Sequence, residues 1–107
     1  MLGQKEKRMF IVDSDPTFTH TVTARVPVDG GFEDQTFTAT YGLMPSEEYE
    51  RLDLNDRADS LKFFNRIVRS LGDITGKDGK AIPFSDRLRE QAYALPWARV
   101  AILRGYF

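Results

Sequence analysis

No cysteine occurs in the 107 residues. Disulfides and thiolate metal sites are excluded, and the absence fits a cytosolic protein. Histidine occurs once, at His20. A zinc site needs about three or four ligands, and nothing beside His20 supplies the others. No serine stands in a nucleophile-elbow context, so Ser/His/Asp catalysis lacks its nucleophile. Neither sign of charge is in excess: 15 Lys+Arg stand against 16 Asp+Glu, for a net charge of −1. Nucleic acid and anionic membranes are therefore not the expected main partners. No apolar run approaches the roughly 18 residues a membrane helix needs. The charged N-terminus is not followed by an apolar stretch of signal-peptide type, so no secretory signal is expected.

What is present suits one soluble domain over residues 1–107, with 41% apolar and 29% charged residues. Residues 1–8, with Lys5, Lys7 and Arg8 against Glu6, read as a mobile basic tail. Met9-Phe10-Ile11-Val12 is a short apolar run of strand character, broken by Asp13-Ser14-Asp15-Pro16.

The strongest amphipathic pattern lies between Asp59 and Leu71. Leu61, Phe64, Ile67, Val68 and Leu71 recur at helical spacing, and Lys62, Asn65, Arg66 and Arg69 fill the other face. A helix is expected to end at Gly72, followed by a reversal at Gly76-Lys77-Asp78-Gly79. Phe63 sits at the edge of the apolar stripe. It either packs beneath the short helix at Tyr49 or stays exposed as an anchor for a partner helix.

Two other segments alternate with period two. Phe18, His20, Val22, Ala24 and Val26 share one face of the first, and Phe37, Ala39 and Tyr41 one face of the second. The opposite faces carry threonines, which suit a half-exposed strand. A two-residue turn at Asp29-Gly30 sets Val22 opposite Phe37 and Phe18 opposite Tyr41, and a turn at Gly30-Gly31 keeps the same parity; both put every apolar residue on one face. A three-residue loop would split them, so turn and register support each other.

Three further helices are expected. Pro45-Ser46-Glu47-Glu48 starts a short one that buries Tyr49 and Leu52, with the Ser46 hydroxyl as cap. Ser85 caps the next, whose inner face is Leu88, Gln91/Ala92 and Leu95. Pro96 opens the last, which is apolar on most sides through Trp97, Val100, Ala101, Ile102 and Leu103. The fold class is α+β: an N-terminal antiparallel β-hairpin packed on a small helical part of about four helices, with Leu61, Phe64, Val68, Trp97 and Leu103 sharing one core.

The remaining motifs do not carry chemistry. Gly72-Asp73-Ile74-Thr75-Gly76-Lys77 has three residues between its glycines where a phosphate loop has four, and Asp78 stands where Ser or Thr belongs. As a calcium loop it puts Thr75 and Lys77 at ligand positions. The acidic pairs Glu47/Glu48 and Asp56/Asp59 sit at helix starts, where carboxylates are ordinary. Lys62, Arg66 and Arg69 read as a solvated basic face. No catalytic, metal or cofactor-binding residue is assigned.

In order along the chain come Asp15-Pro16-Thr17-Phe18, Val26-Pro27-Val28-Asp29-Gly30-Gly31 and Phe37-Thr38-Ala39-Thr40-Tyr41. Phe63-Phe64-Asn65-Arg66-Ile67-Val68 and Gly72-Asp73-Ile74 follow, then Asp78-Gly79-Lys80-Ala81-Ile82-Pro83-Phe84-Ser85. The last is Leu95-Pro96-Trp97-Ala98-Arg99-Val100-Ala101-Ile102-Leu103 with a terminal aromatic pair. This ordered set resembles the tail assembly chaperones of long-tailed, siphophage-type bacteriophages. One departure is Leu71, where members often carry tryptophan.

The resemblance implies a non-enzymatic protein of the host cytoplasm. It would act in several copies, keep the tape measure protein soluble while the tail tube polymerises, and be absent from the mature virion. A longer frameshifted product would recruit tail tube protein. Candidate partner-binding residues are Phe63, Ile67, Ile74, Trp97, Tyr106 and Phe107. The alternatives are a structural tail or head–tail joining protein retained in the virion, and a small host-directed binding protein using the basic face.

Overall fold

The computed structural model describes residues 8–107. Of the basic tail expected over residues 1–8, only Arg8 falls within them. The fold is α+β: a three-stranded antiparallel sheet with four helices. Strand β1 (Thr17–Val28) and strand β2 (Gly31–Gly42) form the expected hairpin. Val22 faces Phe37, Phe18 faces Tyr41 and Val28 faces Gly31, and Gly30 takes the positive φ of 84° that the tight turn demands. The threonine face is open to solvent, where the Thr19 and Thr40 hydroxyls bond across the strands at 2.8 Å. Met9–Val12 forms no strand: it stands free of the sheet, highly exposed, with no strand beside it among the described residues.

Helix α1 (Ser46–Glu50) is a single turn. Its start differs from expectation. Pro45 occupies the capping position, the Pro45 carbonyl accepts from the amides of Glu48 and Tyr49, and Ser46 makes no capping bond. Tyr49 stays partly exposed, and Leu52 follows the helix rather than lying on it. Helix α2 (Arg57–Ile67) is capped by Asp56, whose carboxylate accepts from the amide of Asp59 at 3.1 Å. The Asp59 carboxylate in turn accepts from the amide of Asp53. This acidic pair is capping machinery.

The largest correction falls here. The helix expected to run to Leu71 stops at Ile67, and Val68–Gly72 is strand β3, paired to β2. Ser70 faces Thr40 but Val68 faces Tyr41, so Arg69 is an extra residue in a β-bulge. The bulge shifts the side-chain parity by one. Val68 and Leu71, three residues apart, therefore both point into the core, a spacing that on paper belongs to a helix. Gly72 ends a strand, and Asp73 takes the left-handed conformation with φ 58°. Arg69 leaves the basic helix face and reaches Asp15 at 2.9 Å.

The Gly-rich reversal forms as expected, with Thr75 bridged to Ala81 and Gly79 at φ 80°. Helix α3 (Asp86–Ala94) is capped by the Ser85 hydroxyl, which accepts from the Leu88 amide at 3.1 Å. Helix α4 (Pro96–Tyr106) begins with Pro96 at its first position. Leu95 joins the two in an extended conformation, as a residue before proline prefers. Leu95, expected on the inner face, is exposed, as is Val100.

The core lies between the sheet and α2, α3 and α4. Phe64, Val68, Ile67, Tyr41 and Ile102 are fully or almost fully buried, and Trp97 and Leu103 pack against them. Leu61, expected in this core, instead borders a polar hollow with Leu54, Tyr93 and Arg99. Helix α4 sits very close to the sheet. A side chain at Gly105 would meet the Tyr41 hydroxyl and, at 2.6 Å, a Val22 methyl. Gly105→Ala is expected to push the helix off the sheet and to lower unfolding free energy by about 1–3 kcal/mol in a denaturant titration.

The Tyr41 hydroxyl donates to the Ile102 carbonyl at 2.6 Å, and burial pushes its pKa up to about 12 from 10.0. The unfolded chain releases this proton near the ordinary value, while the folded chain holds it longer. The resulting stability is complete below pH 10.0 and is lost as the pH climbs to about 12. Thermal melts should show this alkaline loss in the wild type and a shallower one in Tyr41→Phe. At neutral pH that variant should be less stable by about 1 kcal/mol for the missing hydrogen bond.

Candidate functional site

The helices cover the base of the sheet more completely than its hairpin end. Near that end a groove of about 720 Å³ opens between sheet, α3 and the start of α4. Its floor is Ala24, Val26 and Phe37, and its walls are Ile74, Leu88, Ala92 and Trp97. Strand β3 carries the chain past Gly72 and puts Ile74 at one lip. Pro96 starts α4 at the other and fixes Trp97 there. Asp73 is the single charged residue among the described residues lining the groove. Grooves of this size, apolar and rimmed by polar groups, suit helices or extended apolar segments.

The structure divides the six candidate partner-binding residues into two groups. Ile74 and Trp97, 23 positions apart in sequence, meet at the groove as partly buried side chains. Phe63, Ile67, Tyr106 and Phe107 lie at the other end. Phe63 and Ile67 are 2% and 0% exposed and are core residues, so neither offers a surface to a partner in this fold. Phe63 takes the packing alternative. Tyr49 lies edge-on to it at 5.4 Å, Tyr106 at 5.7 Å, and Phe107 stacks on it at 6.0 Å. The helical wheel placed Phe63 at the stripe's edge because it counted Leu61 in the stripe; Leu61 is only half-buried, and the buried face of α2 is Phe63, Phe64 and Ile67. Tyr106 is half-buried, and its hydroxyl accepts from the Met44 amide at 3.2 Å. Phe107 is exposed.

Sequence reasoning missed the sheet's share in the groove. Ala24, Val26 and Phe37 were legible as one apolar face, but nothing marked their distal part as uncovered.

Polar groups elsewhere serve structure. His20 bonds through Nδ1 to the Gly105 carbonyl at 3.0 Å and lies 5.1 Å from the Phe18 ring. Arg89 donates to the Val68 carbonyl at 3.2 Å and to Asp86 at 3.0 Å, tying α3 to the first residue of β3. Arg66 pairs with Glu48 at 3.5 Å, joining α2 to α1. Among the described residues no group of three or more His, Cys, Asp or Glu could hold a metal ion. No helix among them is long and apolar enough to cross a membrane.

No protein-family model, curated protein or solved structure matches this chain. The groove is therefore read on its geometry alone.

The burial of Phe63 yields a direct check. Phe63→Ala should cost about 3–5 kcal/mol in chemical denaturation, as removal of a buried aromatic does. Phe107→Ala, which trims an exposed ring, should cost under about 1 kcal/mol.

Proposed function

We propose that this chain is a tail assembly chaperone of a siphophage-type bacteriophage. In this reading it is not an enzyme and needs no cofactor. It works in the host cytoplasm in several copies, binds the tape measure protein, keeps it soluble while the tail tube polymerises, and leaves before the virion matures. Tail tube protein would be engaged through a longer frameshifted product, and neither nucleic acid nor membrane is a partner. The ordered sequence resemblance suggests the role.

The observation that best supports a binding role is the apolar groove between Ile74 and Trp97. A tape measure protein presents long helices with apolar stripes, and such a stripe finds in this groove a floor of Val26 and Phe37 and an aromatic wall. Tryptophan in such a position carries a large share of contact energy. Asp73 at the lip favours a client segment with a basic residue beside its apolar face.

Co-expression with a tape measure fragment tests this. Ile74→Asp and Trp97→Ala each alter a partly exposed side chain, so circular dichroism should report a folded domain for at least one of them. Each should weaken fragment binding by about thirtyfold or more, equivalent to about 2 kcal/mol, and leave the fragment in the pellet. A folded variant that still keeps the fragment soluble would remove the groove from the client-binding role.

A further inference from the structure

The run Met9-Phe10-Ile11-Val12 has no partner among the described residues of its own chain. Its residues are 92%, 89%, 68% and 87% exposed, the largest contiguous stretch of exposed apolar side chains among the described residues. Surfaces of this kind are normally covered. The run is held at its root. The Asp13 carboxylate accepts from the Asp15 amide at 2.9 Å, and Asp15 is paired to Arg69 at 2.9 Å. Both fix the point at which the arm leaves the base of the sheet, beside the first residues of β1.

The apolar groove lies at the opposite, hairpin end. Phe37 and its partner Val22 lie about 17 Å along the strand from Thr17. They lie on the opposite face from the threonine side where Arg69, crossing Gly42, holds Asp15, so the arm would also have to round the sheet edge. From the anchored Asp15 to Phe10 the chain can extend about 17 Å at most. The arm therefore falls short of its own groove, and a second copy is required to bring the two together.

We propose that Met9–Val12 of one copy occupies the groove of a neighbouring copy, with Phe10 and Ile11 seated against Phe37 and Trp97. The fit is chemical as well as steric. An apolar four-residue segment meets an apolar floor, and Arg8, just before it, comes beside Asp73 at the lip. The contact joins the base of one molecule to the hairpin end of the next. Arm and client occupy the same groove in turn, and the contact stands whether or not the client is a tape measure protein, since both surfaces belong to this chain.

The absence of cysteine makes the test clean. Val12→Cys is prepared in one batch of full-length chain and Gln91→Cys, at the groove's rim, in another. The two are mixed at high concentration with a disulfide oxidant. A mixed cross-linked dimer should form about tenfold faster than with Lys62→Cys, an exposed site on α2, because docking raises the local thiol concentration.

Trp97, the sole tryptophan, reports the same event. Its emission should shift to shorter wavelength as protein concentration rises. The shift should vanish in Phe10→Asp/Ile11→Asp, whose melting temperature at dilute, monomeric concentration stays at the wild-type value because those side chains are exposed in the single chain. Equal cross-linking at Gln91→Cys and Lys62→Cys, or a concentration-dependent Trp97 shift that survives the double substitution, overturns the proposal. Ile74→Asp alters the groove for arm and client alike, whereas Phe10→Asp/Ile11→Asp alters the arm alone, so client solubilisation by the arm variant separates the two readings.

Discussion

Helix α4 can lie against the sheet only because three positions beneath or within it are small. Gly105 brings the helix down onto Tyr41 and Val22, and Ala24 and Ala39 keep the strands' upper surface low. At that separation the Tyr41 hydroxyl reaches the Ile102 carbonyl, and His20 reaches the carbonyl of Gly105. The seating fixes both ends of the helix. Trp97 is set beside the distal face of the sheet at one end, and Tyr106 closes over Phe18 and Phe63 at the other. A wider helix–sheet gap would leave the Tyr41 hydroxyl buried without its acceptor, and buried polar groups tolerate that poorly.

The hairpin was legible because two independent constraints, the period-two pattern and the turn at Asp29-Gly30, had to agree. The boundary between α2 and β3 was not. Residues 61–71 satisfy a helical period continuously, and only the bulge at Arg69 reconciles Val68 and Leu71 with a strand. A local signal was available: Ile67 and Val68 are adjacent β-branched residues, which favour strands over helix interiors. Tertiary pairing with β2 then decides, since residues 68–72 supply the sheet's third strand and bury Val68 and Leu71 in doing so.

The candidate site was half legible for the same reason. Ile74 and Trp97 could be named as apolar residues near breaks in the chain. Their meeting depends on β3 returning alongside β2, which the continuous-helix reading does not contain. Phe63 was set at the stripe's edge for another reason: Leu61, only half-buried, was counted in the stripe and drew its apparent centre away from Phe63. Capping was read well at Ser85, where side chain and backbone roles coincide. It was read wrongly at Ser46, where Pro45 supplies the non-helical backbone and its carbonyl takes the first bonds.

The bulge in β3 has a meaning for how this chain tolerates change in length. Without Arg69, Val68 would stand next to Ser70 and the ladder opposite Thr40 and Tyr41 would run uninterrupted, with Val68 and Leu71 still inward. The sheet has no need of the extra residue. What Arg69 does is cross the bare backbone of Gly42 and hold Asp15. The extra residue thus acts as a guy-rope: it trades a regular strand for a tie to the N-terminal segment.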